Sequence, residues 1–185
     1  QDVEAMREMA CEARMGVASE LSDDGKSVSV TSIIEPTMAL DSKDYVITYV
    51  LTEDGVTGYE QTNGFAKEVG QYTKDQLPED CKFLYDAGVY YKPTFNDVSR
   101  LITGVGGIEG STANMVFTAG KKVMHNYTIT LPASIANIDN VSVTAILFDA
   151  TSREIVTAEK ALIGESVFST GLEDVVVSNN VKIAA

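Results

Sequence analysis

His125 is the only imidazole in the chain, and so the only side chain whose unperturbed pKa suits a general base near neutral pH. It stands at an alternating position with Val123 and Tyr127, the pattern of a strand residue. Nucleophilic hydrolysis needs such a base within hydrogen-bond reach of a hydroxyl or thiol, with a carboxylate to orient it. There is no Gly-x-Ser-x-Gly turn, and neither Cys11 nor Cys81 has the surroundings of a catalytic thiol. A hydrolase reading would rest on His125 and a nearby carboxylate. The plainer expectation is a strand histidine facing a partner or solvent, and no catalytic residue is assigned.

Adjacent carboxylates occur at Asp23-Asp24, Glu53-Asp54, Glu79-Asp80 and Glu173-Asp174. Glycoside hydrolysis needs two carboxyl groups facing each other across a cleft, whereas neighbours in a turn point apart. Oxygen-rich turns could hold calcium, but the Asp-x-Asp-x-Asp-Gly loop is absent. Zinc needs four N or S ligands at set spacings, and two cysteines with one histidine fall short. The run Gly104–Gly110 lacks the Gly-Lys-Ser/Thr ending of a phosphate loop and reads as a flexible connection. No metal and no cofactor is expected. Cys11 and Cys81 fit either a disulfide in an oxidising compartment or two free thiols.

Aromatic side chains are the remaining candidates. Tyr85, Tyr90, Tyr91 and Phe95 lie close in sequence, with Tyr59 and Phe65 upstream. Exposed rings on a β surface can stack on sugars or grip a peptide; buried ones merely fill a sheet. Tyr59, Phe65, Tyr90, Tyr91 and Phe95 are the expected ligand-binding residues, within a contact region spanning 59–95.

Short β runs separated by turns must position these groups. Val17–Glu20 and Ser27–Ile34 flank Asp23-Asp24-Gly25-Lys26, a hairpin signal because glycine tolerates the positive φ of such turns. Tyr45–Thr52 is apolar on both faces, as a central strand is. Thr57–Phe65 reads as a strand or extended loop, and 66–82 as a long polar loop with room for a short helix. Phe95–Thr103 leans to a strand. Lys122–Leu131 alternates clearly, and Val141–Phe148 with Glu154–Ile163 forms a hairpin. Residues 3–15 read as a helix, since Val3, Met6, Met9, Ala10 and Ala13 recur every three or four positions before Gly16. The expected architecture is a mainly β, Ig-like or jelly-roll-type antiparallel sandwich of seven to nine strands with a short N-terminal helix. Its expected parts are a helix over 1–16, a sandwich over 17–163 and a tail over 164–185.

At 185 residues the chain can bury a core without a staple. Its net charge of −13, with 14 scattered basic residues, excludes nucleic acid and disfavours anionic membrane surfaces. No apolar run reaches 18 residues, so no membrane-spanning helix is expected. The acidic start Gln1-Asp2-Val3-Glu4 does not resemble a signal peptide, as in a mature or trimmed chain.

Five stretches carry a family resemblance: Tyr49-Val-Leu-Thr-Glu-Asp-Gly-Val56, Gln61-Thr-Asn63, Phe95-Asn-Asp-Val-Ser-Arg100, Val143-Thr-Ala-Ile-Leu-Phe-Asp149 and Glu154-Ile-Val-Thr-Ala-Glu-Lys160. In order and spacing the segment 45–163 resembles the C-terminal region of the Bacteroidetes twenty-eight-kilodalton outer membrane protein family. The resemblance implies an exported, lipoprotein-like surface protein of a gut or oral anaerobe, often with a thioredoxin-like domain ahead of the β domain. The 3–15 helix would then be a remnant of that domain. No Cys-x-x-Cys is present, so redox activity is not carried over. The family's His-rich stretch is Phe95-Asn96-Asp97 here, which puts a shared ligand role there in doubt. Residues 171–183 resemble the lead-in to a secretion-sorting segment. The expectation is a non-enzymatic cell-surface or extracellular module that binds protein or glycan. The alternative is a structural accessory domain attached to a thioredoxin-like domain.

Overall fold

The computed structural model describes residues 12–40, 45–103 and 117–168. The described chain divides into two compact units, residues 54–98 and the remainder.

The larger unit is a sandwich of two four-stranded antiparallel sheets. The strands are β1 (Ala13–Leu21), β2 (Ser27–Pro36), β3 (Tyr45–Glu53), β6 (Val98–Ile102), β7 (Val123–Thr130), β8 (Val141–Asp149), β9 (Ile155–Leu162) and β10 (Ser166–Phe168). One sheet runs β10-β1-β2-β7 and the other β6-β3-β8-β9. The β1–β2 hairpin turns at Asp23–Lys26, with Gly25 at φ +67°. There the Asp24 carboxylate accepts from the Ser22 hydroxyl and the Lys26 N–H, and these bonds hold its pKa below the usual value. β2 ends at Pro36, which cannot donate to a ladder.

Alternation builds the core. Ala13, Met15 and Val17 of β1 and Val28, Val30 and Ile34 of β2 meet Ile47, Tyr49 and Leu51 of β3 and Val143, Ala145 and Leu147 of β8. Small Ala145 lies opposite Tyr49 and so leaves room for its ring. β3 is buried along most of its length, as expected of a central strand.

The N-terminal helix is corrected where the structure describes it. Ala13–Met15 form the start of β1, and Gly16 lies within that strand rather than ending a helix. The period-two set Ala13, Met15, Val17 wins because each of these side chains becomes fully buried in the sandwich. Residues 3–11 fall outside the described residues, as do Cys11, the Gly-rich run and the proposed sorting segment. Gly16 has a packing reason of its own. A Cβ there would come within 2.1 Å of the Phe168 ring, so any other residue at 16 would require that ring of β10 to move.

The smaller unit, 54–98, contains the two-stranded ladder β4 (Gln61–Thr62) with β5 (Tyr90–Tyr91), three 3₁₀ turns and the helix α1 (Lys82–Asp86). Among the described residues, the short α-helix thus sits mid-chain. Its apolar interior is small: Val56, Ala66 and Leu77 are its buried hydrophobic residues.

Candidate functional site

Two constellations compete as the functional centre, one inside the sandwich and one on the 54–98 unit. The first contains His125. Its Nδ1 lies 2.8 Å from the Tyr49 hydroxyl, which is 3.0 Å from the Ser32 hydroxyl. Ser32 and His125 are register partners on β2 and β7, while Tyr49 reaches them from β3 of the facing sheet. Burial pushes the Tyr49 phenol up to about 12 and pushes the His125 imidazole down. A neutral imidazole can accept the phenol proton at Nδ1, and the phenol oxygen can accept from Ser32. In a hydrolytic triad the imidazole bonds the nucleophilic hydroxyl directly, whereas here the phenol stands between Ser32 and His125. Ser32 is fully buried, so no substrate reaches its hydroxyl. The Tyr49 and Tyr127 rings stack at 5.6 Å and 6°. The arrangement satisfies buried polar groups across the sheet interface.

A second buried polar group lies at the end of β3. Glu53 is 1% exposed. Its carboxylate accepts from the Arg100 guanidinium at 2.7 Å and from the backbone N–H groups of Asn137 at 2.7 Å and Ala136 at 3.0 Å. Burial alone would raise its pKa, but those donors outweigh it and the net shift is downward. The next three residues are paired in sequence too. Asp54 accepts from the Asp97 N–H at 2.6 Å, Gly55 donates to the Asn96 side chain at 3.0 Å, and Val56 bridges Phe95. Glu53 and Asp54 therefore do turn to separate partners. Asp97, at φ +55°, takes a left-handed conformation that Asp tolerates better than most residues. Two of the stretches that carried the family resemblance, 49–56 and 95–100, face each other along this set of pairs.

The 54–98 unit holds eight aromatic residues in a quarter of the chain, and every one is half-buried or exposed. Tyr59 is 60% exposed and Tyr90 71%. The five expected binding residues do not form one cluster. Tyr59 packs edge-on against Phe95 at 6.5 Å, Phe65 against Tyr72 at 5.5 Å, and Tyr91 edge-on against Phe83 at 5.9 Å. Tyr90 points from the opposite face of β5 to Tyr91, as strand alternation requires. On that face the Glu60–Lys92 ion pair spans the ladder at 3.1 Å. Tyr72 and Phe83 were missed by sequence reading. Tyr72 lies between two 3₁₀ turns and Phe83 on the five-residue helix α1, elements too short to give a periodic signal.

One buried amide organises this unit. Asn63 donates to the carbonyls of Leu84 at 2.6 Å and Gly88 at 3.0 Å and accepts from the Phe65 N–H at 3.0 Å. Its own N–H bonds to the Val89 carbonyl. Nearby, Lys74 pairs with Asp86, raising the pKa of the lysine and lowering that of the aspartate.

The structure is similar to a domain of the outer membrane lipoprotein Omp28 from Porphyromonas gingivalis. The match covers 84% of this chain and 91% of that one, at 14% identity and a TM-score of 0.42. No family model and no curated protein matches the sequence. Among the described residues, no three His, Cys, Asp or Glu side chains converge to hold a metal ion, and no helix is long and apolar enough to cross a membrane. Cys81 is a half-buried free thiol.

Proposed function

We propose that this chain is an exported cell-surface module without enzymatic activity that binds a protein or glycan ligand through its 54–98 unit. The observation that carries this reading is the exposure of Tyr59 and Tyr90 in a unit whose rings are half-buried or exposed. A ring costs little side-chain entropy to immobilise and offers a large apolar face, which makes it an efficient contact residue. The placement at the cell surface rests on the sequence resemblance of 45–163. The acidic net charge, −13, disfavours nucleic acid as the ligand.

A glycan array and a displayed-peptide library, each probed with the whole chain and with the Tyr59→Ala/Tyr90→Ala double variant, test the reading. Binding to members of one library that falls at least tenfold in the variant supports it. Absence of binding in both libraries, or equal binding by the variant, refutes it.

A further inference from the structure

The loop Thr130–Ile138 and the β1–β2 turn together line a depression of about 520 Å³ in the sandwich unit. Its apolar wall is Leu131, Pro132, Ile135 and Ile138. Leu131, Ile135 and Ile138 are half-buried and pack against the core, so the wall is anchored. The Leu131 N–H bonds to the Lys26 carbonyl at 2.9 Å and ties the two sides together. Behind the loop, the Glu53 carboxylate fixes the N–H groups of Ala136 and Asn137. Hydrogen bonds therefore fix the backbone on both sides of the depression.

Lys26 is the one charged residue of the lining. The nearby Asp24 carboxylate is turned back onto the Ser22 hydroxyl and the Lys26 backbone N–H. Small-molecule sites combine a mostly apolar wall with a few placed polar groups. Lys26, an exposed side chain long enough to reach over the lining, brings one positive charge to it, the complement of one negative charge. A dianion such as phosphate would meet one cation against a chain of net charge −13. We propose that this depression binds a small amphipathic monocarboxylate. Its apolar body lies against Leu131, Pro132, Ile135 and Ile138, and its carboxylate sits on the Lys26 ammonium.

Amide-resolved NMR titration of the whole chain with octanoate tests the site, with octan-1-ol and octylamine as neutral and cationic counterparts. Octanoate is expected to shift the amides of Gly25, Lys26 and residues 130–138 saturably, with a Kd on the order of 1 mM for a ligand of this size. Lys26→Gln should weaken octanoate about fivefold, the worth of an exposed ion pair, and leave octanol unchanged. Ala133→Trp, at an exposed turn position within the lining, should fill the space and block both. Octylamine binding as well as octanoate, an unchanged octanoate affinity in Lys26→Gln, or shifts confined to other regions would each overturn the proposal.

Discussion

The sandwich and the 54–98 unit use the same kinds of side chain to opposite ends. In the sandwich, Tyr49 is fully buried and its hydroxyl is hydrogen-bonded to both Ser32 and His125. In the 54–98 unit the tyrosine rings stay at the surface, and the buried polar group is an asparagine that holds carbonyls together. A broad apolar core can bear the cost of enclosing a phenol. A unit with three buried hydrophobic residues has little to offset that cost and relies on hydrogen bonds instead. Stability in one unit comes from area removed from water; shape in the other comes from a few directed bonds.

Removing the guanidinium at the end of β3 should produce the largest effect. Arg100→Met leaves the Glu53 carboxylate buried without its countercharge and should cost about 3–5 kcal/mol. Urea unfolding would show it as a lower midpoint at unchanged slope, and a loss below about 1 kcal/mol would contradict the assigned role. The folded-state pKa of Glu53 lies below its usual value. Its contribution is thus present above the unfolded pKa and fades as pH falls through the folded one. In Arg100→Met that acid-side loss should begin at higher pH.

Tyr49→Phe comes next, at about 1–3 kcal/mol, because it strands the Ser32 hydroxyl and the His125 nitrogen. The phenol pKa is raised to about 12 in the fold. Its share of stability is complete below 10 and is lost as pH rises from there towards 12, since the unfolded chain ionises first. Tyr49→Phe should flatten that alkaline limb; an unaltered limb would mean that another group causes it. His125 carries the opposite sign. Its lowered pKa makes the unfolded chain take up the proton first, so stability should decline as pH falls below about 6.5.

Asn63→Ala should act locally. Amide exchange across 61–91 is expected to speed up, while β2, β3 and β8 keep their protection. If exchange rises equally in those strands, the two units do not respond as separate bodies. The smallest effect is expected from Tyr90→Ala, within about 0.5 kcal/mol, as for an exposed residue with no structural duty. A thermal scan showing a larger drop would mean that the ring serves folding rather than contact.

Strands dense in β-branched and aromatic residues were legible from sequence, such as Tyr45–Thr52 and Val141–Phe148, and so was Lys122–Leu131, whose period of two declares its faces locally. Residues 13–15 were misread because Ala13 belongs at once to a spacing of three or four with Met9 and Ala10 and to a spacing of two with Met15 and Val17. Local pattern could not arbitrate; burial against the facing sheet did. Tyr59, Phe65, Tyr90, Tyr91 and Phe95 were singled out as individual aromatics, but of their ring partners Tyr72 lies between short 3₁₀ turns and Phe83 on the one-turn helix α1, too short to show a period. Glu53 and Arg100 are 47 residues apart and meet only through topology. No spacing rule could have joined them.

The successive pairs from Glu53 to Val56 with Arg100 to Phe95 bring the chain back beside the point where it left. In genetic terms this is a splice point. A segment whose two ends are already held together can be lengthened, shortened or exchanged at small entropic expense, since doubling a loop costs only about 0.6 kcal/mol. Lineages could swap what lies between residues 54 and 98 as a cassette and inherit the scaffold unchanged. Replacing that stretch with a two-residue Asn-Gly turn should therefore yield a chain that still folds.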